Sequence, residues 1–167
     1  MKKICIILLA ITLMPFFTSA QNIVLGNLAF LKGQNYVDFN VDFSQAGILG
    51  MSEKEIAVQE KDWWKDRHIY VGRFLESLNA KLNRKALYVG KHENASYNMT
   101  LVARQVEKNG NILSEIIFTS KTNPDECLCK IIMNASGGTF GTFLNLLGDG
   151  MENTGKALGK FIYSKLK

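Results

Sequence analysis

Residues 100–119, TLVARQVEKNGNILSEIIFT, contain the strongest local structural signal in this 167-residue sequence. The pair Asn109-Gly110 is well suited to a two-residue hairpin turn, in which both central residues have positive φ. Folding about this turn predicts five opposed pairs: Arg104 with Glu115, Ala103 with Ile116, Val102 with Ile117, Leu101 with Phe118, and Thr100 with Thr119. Because charged and apolar partners match in a single register, the segment predicts an antiparallel hairpin.

Three further segments have the pattern of strands. Apolar and polar residues alternate from Tyr36 to Phe43, which is typical of a strand with one buried face. A short strand from Ala86 to Val89 is predicted at an edge of the sheet because of its brevity. The turn at residues 123–125 returns the chain into a strand from about Glu126 to Met133.

A long helix is predicted between the first two strands. Ser52 and Glu55 form a capping box, and Met51 and Ile56 stand where a hydrophobic staple forms, so the helix begins at Ser52. Gly72 weakens the helix without ending it, and the pattern extends to about Asn83. The predicted apolar face comprises Ile56, Trp63, Trp64, Val71, Phe74, Leu75, Leu78 and Leu82.

The last predicted element is an amphipathic helix from about Phe140 to Leu166. Its predicted apolar face comprises Phe140, Phe143, Leu144, Leu147, Met151, Leu158, Phe161 and Ile162. Four glycines line one edge of that face: Gly141, Gly148, Gly155 and Gly159. Each glycine inside a helix costs about 1 kcal/mol relative to alanine. We therefore expect this glycine ridge to compensate by allowing close approach of another element.

These elements predict a single α+β domain over residues 21–167. We expect about five strands in a mostly antiparallel sheet, with two long helices packed on one face. The length of this segment, 147 residues, suits one domain with a sizeable core.

The first 20 residues predict a cleavable signal peptide. Lys2 and Lys3 precede an apolar run at residues 4–17, and small residues end at Ala20. The run is too short to span a bilayer comfortably, and we expect no transmembrane helix in the mature chain. Cleavage would leave Gln21 rather than a lipid-accepting cysteine at the new N-terminus. The sequence thus predicts a periplasmic or secreted bacterial protein.

Charge argues against nucleic acid as a partner. The whole chain has a formal net charge of +5, and loss of the two signal-peptide lysines leaves about +3 with no concentrated basic tract.

Cysteine usage excludes a disulfide scaffold, because only Cys127 and Cys129 lie outside the first 20 residues. Two residues apart on a strand, they should point to the same face, toward the core. Parallel side-chain directions are poorly shaped for a disulfide, so we expect two free, buried thiols. A redox or metal-binding role is the alternative.

Few residues offer catalytic chemistry. His68 and His92 are the only histidines, and no nucleophile-elbow, phosphate-loop or zinc-ligand spacing is present. We therefore predict no catalytic residue, cofactor or metal site. The candidate binding cluster is Trp63, Trp64 and Arg67, since a guanidinium stacked on an indole can recognise a ligand or partner. The alternative is that the indoles pack over the sheet while Arg67 extends past them to solvent.

Several segments resemble a family of small, uncharacterised exported α+β proteins from bacteria of the Bacteroides group. They are residues 31–34 (LKGQ), 41–43 (VDF), 61–67 (KDWWKDR), 137–143 (GGTFGTF) and 148–152 (GDGME). The resemblance implies export and a compact α+β domain. It implies no activity, cofactor or site residue.

Taken together, the sequence favours an exported, non-catalytic binding protein of the bacterial envelope, monomeric, whose partner is an unidentified protein or envelope component. One alternative is an enzyme with a cryptic site. The other is a structural oligomer assembled through the glycine-rich C-terminal helix.

Overall fold

A computed structural model describes residues 21–167, which form a mixed α+β fold with seven strands and three α-helices. The predicted signal peptide lies outside the described residues. The strands are β1 (Gln21–Gly26), β2 (Tyr36–Asp42), β3 (Gly47–Ile48), β4 (Tyr88–Gly90), β5 (Tyr97–Val106), β6 (Ile112–Ser120) and β7 (Cys127–Ala135). The helices are α1 (Glu53–Gln59), α2 (Trp63–Leu82) and α3 (Phe143–Lys165), with short 3-10 turns at Ala29–Leu31 and Asn83–Lys85.

The sheet has the strand order β1-β7-β6-β5-β2-β4, and β3 also pairs with β5. The pairs β1–β7, β7–β6 and β6–β5 are antiparallel. By contrast, β2 is parallel to both β5 and β4. The α+β class is therefore confirmed. The sheet differs in detail from the prediction, because β1 and the two-residue β3 were not expected and the β2 side is parallel. β4 lies at an edge, as its brevity predicted.

The central hairpin forms, but its predicted register is wrong. Gly110 has a positive φ of 79° whereas Asn109 does not, and the Gly110 N–H donates to the carbonyl oxygen of Glu107. The turn thus has three residues and ends in a left-handed glycine, which moves the pairing by one position. A bulge between Ala103 and Gln105 moves it again, so that Leu101 pairs with Ile116 and Val102 with Glu115. The Arg104–Glu115 ion pair survives at 2.9 Å because the long side chains span the offset.

The predicted first helix is broken into α1 and α2 at residues 60–62. The capping box at Ser52 and Glu55 is present as predicted. The break allows α1 to fold back toward α2. Evidence for this is the 3.0 Å ion pair between Glu53 of α1 and Arg67 of α2. In one straight helix these residues would lie about 21 Å apart. The interruption falls in a run of polar residues, Gln59 to Asp62, that gains little from burial.

The C-terminal helix begins later than predicted, at Phe143, because Thr142 caps it by accepting a hydrogen bond from the Asn145 N–H. Two predicted members are therefore corrected. Phe140 is 90% exposed rather than on the buried face, and Gly141 lies in the preceding loop with a φ of 128° rather than in the helix ridge.

The other three ridge glycines face α2. A Cβ at Gly155 would lie 2.2 Å from the carbonyl oxygen of Phe74, and one at Gly159 would lie 2.9 Å from that of Leu78. At Gly148 the nearest atoms belong to the flexible Arg73 side chain. The ridge therefore packs against α2 of the same chain. It is not free for the assembly of an oligomer through these glycines.

A single core fills the space between the sheet and the helices. Alternate strand residues such as Met99, Ile116 and Ile131 meet Phe74 of α2 and Leu158 of α3. Trp64 was predicted in this core but is 56% exposed, and Tyr70 occupies the core instead.

The cysteines do not share a face, which corrects the sequence-based expectation. Register pairs Cys129 with Phe118 and Cys127 with Thr119, and those β6 neighbours point to opposite sides. A bulge in β7 accounts for the difference. Both thiols are free, Cys129 buried and Cys127 half-buried.

Between residues 21 and 167, no helix has the length and apolar character needed to cross a bilayer.

Candidate functional site

The predicted Trp63, Trp64 and Arg67 cluster is divided between core and surface. Trp63 is fully buried and packs edge-on against Phe43, with ring centroids 5.8 Å apart. Trp64 faces solvent, and the Arg67 guanidinium lies 5.6 Å from its ring centroid. The structure therefore brings Arg67 and Trp64 together but removes Trp63 from any surface contact.

Intramolecular partners hold the Arg67 guanidinium. It pairs with Glu53 at 3.0 Å and donates to the Val41 carbonyl oxygen at 3.3 Å. It also lies 5.4 Å from the centroid of the Phe43 ring. These contacts join α1, α2 and β2, so Arg67 has a structural task at this position. Trp64 is the member of the cluster with surface left for a partner.

Another apolar surface lies around Phe143 at the start of α3. Phe143 lines two adjacent grooves of about 770 and 460 Å³, which also share Glu107 and Lys108. Leu49 lines the first and Leu146 the second. We call this combined surface, defined by Leu49, Phe143 and Leu146, the Phe143 groove. Phe140, the most exposed large apolar residue of the described chain, lies three residues before Phe143.

Leu49 reaches the groove from a strained turn. Ile48 and Met51 exchange backbone hydrogen bonds of 2.7 and 2.9 Å across Leu49-Gly50. Both central residues have positive φ, 54° and 80°, as in a type I′ turn. A left-handed conformation costs a residue other than glycine about 1–2 kcal/mol. A branched apolar side chain held there and left 36% exposed is an outlier that suggests a contact role.

Charges of both signs surround the groove. Glu60, Arg104, Glu107 and Lys108 line it. Arg104 forms an ion pair with Glu115. The hydrogen bond from the Arg104 guanidinium is the main reason why the pKa of the Glu115 carboxyl lies below its usual value, although burial acts in the opposite direction. Glu107 accepts a 2.8 Å hydrogen bond from the Asn111 amide. The result is an apolar centre with a charged margin, the usual composition of a protein interface.

The residues with potential for catalysis or metal binding are dispersed. His68 is exposed on α2, whereas His92 packs against Tyr36 and Tyr88 at the sheet edge. Within residues 21–167, no group of three or more His, Cys, Asp or Glu side chains is arranged to hold a metal ion. Burial, aided by the neighbouring Cys127, raises the pKa of the Cys129 thiol to about 11.

Sequence reasoning missed the Phe143 groove. It assigned Phe140 and Phe143 to one buried helix face, and it passed over Leu49. The signal that could have found the groove is Thr142, a good N-cap residue that predicts a helix beginning after Phe140. Leu49-Gly50 lacks the asparagine or aspartate that marks a type I′ turn.

No protein-family model and no curated protein matches the chain. Two solved structures of PelC dodecamers from Paraburkholderia phytofirmans are similar to it at a distance. One, of a single-residue variant, has 10% identity and a TM-score of 0.47, covering 90% of this chain and 100% of that one. The other has 11% identity and a TM-score of 0.45, covering 84% and 96%. With TM-scores below 0.5, these likenesses support no inference about this chain.

Proposed function

We propose that the chain is an exported, non-catalytic binding protein of the bacterial envelope that docks a protein partner on the Phe143 groove. The observation that carries this proposal is Leu49, which has a positive φ, is partly exposed and lines the same groove as Phe143. Export is inferred from the signal-like residues 1–20. The resemblance to exported bacterial proteins is consistent with the same destination.

The chemistry of the groove favours a protein over a small polar ligand. Its centre offers Leu49, Phe143 and Leu146, and Phe140 adds a 90% exposed aromatic ring nearby. An aromatic anchor surrounded by polar residues is the arrangement that concentrates binding energy in protein interfaces. The partner we expect presents an apolar side chain flanked by residues of both charge signs.

The test is capture from the native envelope with the purified mature chain immobilised. The wild-type protein should retain a specific partner that mass spectrometry identifies. Phe140→Ser should lower the affinity for that partner about tenfold, because it removes an exposed aromatic contact without disturbing the core.

The matched control is Ile69→Ser. Ile69 is also an exposed apolar residue, at 52%, but it lies on α2, which contributes no residue to the groove. This variant should bind as the wild type does. Equal retention of the partner by wild type and both variants would contradict docking at the Phe143 groove.

A further inference from the structure

A second groove lies along β4, at one edge of the sheet. It has a volume of about 740 Å³ and is lined by residues from α2, β4 and the chain entering β2. Asn79 closes its inner side, because its side-chain amide donates to the Val89 carbonyl oxygen and accepts from the Val89 N–H, both at 2.8 Å. This double hydrogen bond fixes β4 against α2, and the groove is therefore preorganised.

Three polar side chains in this groove are exposed and are not committed to partners within the described chain. Asn35, Glu76 and Asn83 line it, and none of their side-chain polar atoms has a hydrogen bond or ion pair within the described chain. An asparagine amide offers two donors and an acceptor, and a carboxylate offers acceptors. Together they supply the alternating donors and acceptors that vicinal hydroxyl groups require.

Two tyrosines complete the lining. Tyr36 and Tyr88 are directly paired on β2 and β4, and they are 52% and 49% exposed. His92 packs against both rings, with centroid distances of 4.5 and 5.2 Å, which restricts their motion. Exposed aromatic faces held in fixed positions are suited to stack on the C–H faces of sugar rings.

The charge of the groove narrows the ligand class further. Its lining residues include Glu76 and no lysine, arginine or histidine. A phosphate or carboxylate ligand would thus meet a like charge and no counter-ion. A purely apolar ligand would leave Asn35 and Asn83 without partners.

From this combination we infer that the β4-edge groove binds a neutral oligosaccharide through Tyr36, Glu76, Asn83 and Tyr88. The inference goes beyond protein docking at the Phe143 groove and does not depend on it.

The experiment titrates the isotopically labelled chain, residues 21–167, with three uncharged probes at millimolar concentration. These are β-1,4-linked tetramers of glucose and of N-acetylglucosamine and an α-1,4-linked tetramer of glucose. At least one should shift the side-chain amide resonances of Asn35 and Asn83 in a saturable manner. Glucose 6-phosphate should not, because Glu76 repels it.

Substitutions separate binding from folding. Tyr88→Ala should weaken binding of the responding tetramer about tenfold. Because Tyr88 also covers Gly90, the exposed pair Glu76→Ala and Asn83→Ala provides a second test and should weaken binding about threefold each. Trp64→Ala removes an exposed aromatic residue outside the groove and should leave the affinity unchanged.

Either of two results would overturn the inference. One is the absence of shifts in the groove with all three tetramers. The other is binding that Glu76→Ala and Asn83→Ala leave unchanged. Both can occur while the Phe143 groove still captures its protein partner, so the two proposals can fail separately.

Discussion

At the scale of single residues, the two cysteines show how one inserted residue changes chemistry. Strict alternation places Cys127 and Cys129 on the same face, but the β7 bulge gives them different environments. Cys129 is buried and its pKa is raised to about 11, chiefly by burial, while Cys127 is half-buried. No feature of residues 126–133 marks the bulge in advance, because bulges depend on the pairing of both strands.

The difference between the thiols predicts their reactivity. In the native protein at pH 8, a thiol reagent should label Cys127 slowly and should leave Cys129 unlabelled until the chain unfolds. Cys127→Ser and Cys129→Ser variants assign each reaction, followed by intact mass. Rapid native labelling of the Cys127→Ser variant would show that Cys129 is accessible and would contradict the assigned burial.

At the scale of elements, the two helices illustrate what periodicity reveals and what it omits. The capping box and the 3.6-residue pattern locate the start of α1 and most of the buried face of α2. They do not reveal the break at residues 60–62, since the Glu53–Arg67 pair that stabilises the folded-back arrangement is a tertiary contact.

Alanine substitution should have opposite effects on stability at two helix glycines, Gly155 of the ridge and Gly72 of α2. Gly155→Ala should destabilise the protein by about 1–3 kcal/mol, because its Cβ would lie 2.2 Å from the Phe74 carbonyl oxygen and 2.6 Å from the Ser77 hydroxyl oxygen. At Gly72 the added Cβ would have no atom within 4 Å apart from its chain neighbours and the surrounding helix backbone, so Gly72→Ala should stabilise the protein by up to about 1 kcal/mol. Thermal or urea unfolding measures both.

The Gly72 variant is also the control for helix propensity, since both glycines occupy helix interiors. A Gly155→Ala protein as stable as the Gly72→Ala protein would show that α2 and α3 are not in close contact at this point.

At the scale of the whole molecule, local signals predicted the class of fold better than its topology. Alternation in β2, the turn in the β5–β6 hairpin and the two amphipathic helices were sufficient for an α+β domain. The order of the strands could not be predicted from the sequence, because it depends on pairing between distant segments. β3 has only two residues, and β1 contains the continuous apolar run Ile23-Val24-Leu25 and a register shift instead of a clear period-two pattern.

For candidate sites too, local signals could be read from the sequence, whereas contacts between distant segments could not. The cluster at residues 63–67 is contiguous in sequence and was found, although Trp63 proved to be core. The Phe143 groove joins the turn at residues 47–50, the end of β5 and the start of α3, and only the folded chain brings these together.

Docking at the Phe143 groove is the central claim, and Leu49→Asn tests it most directly. Asparagine tolerates the left-handed conformation, so the substitution should stabilise the protein by about 1 kcal/mol through relief of strain. The loss of partly buried apolar surface should destabilise it by about 1 kcal/mol, so the two effects should nearly cancel. We therefore predict a melting temperature within about 3 °C of wild type and an affinity for the captured partner about tenfold lower. Ile69→Asn should retain wild-type affinity. Wild-type affinity in a folded Leu49→Asn protein would contradict the claim.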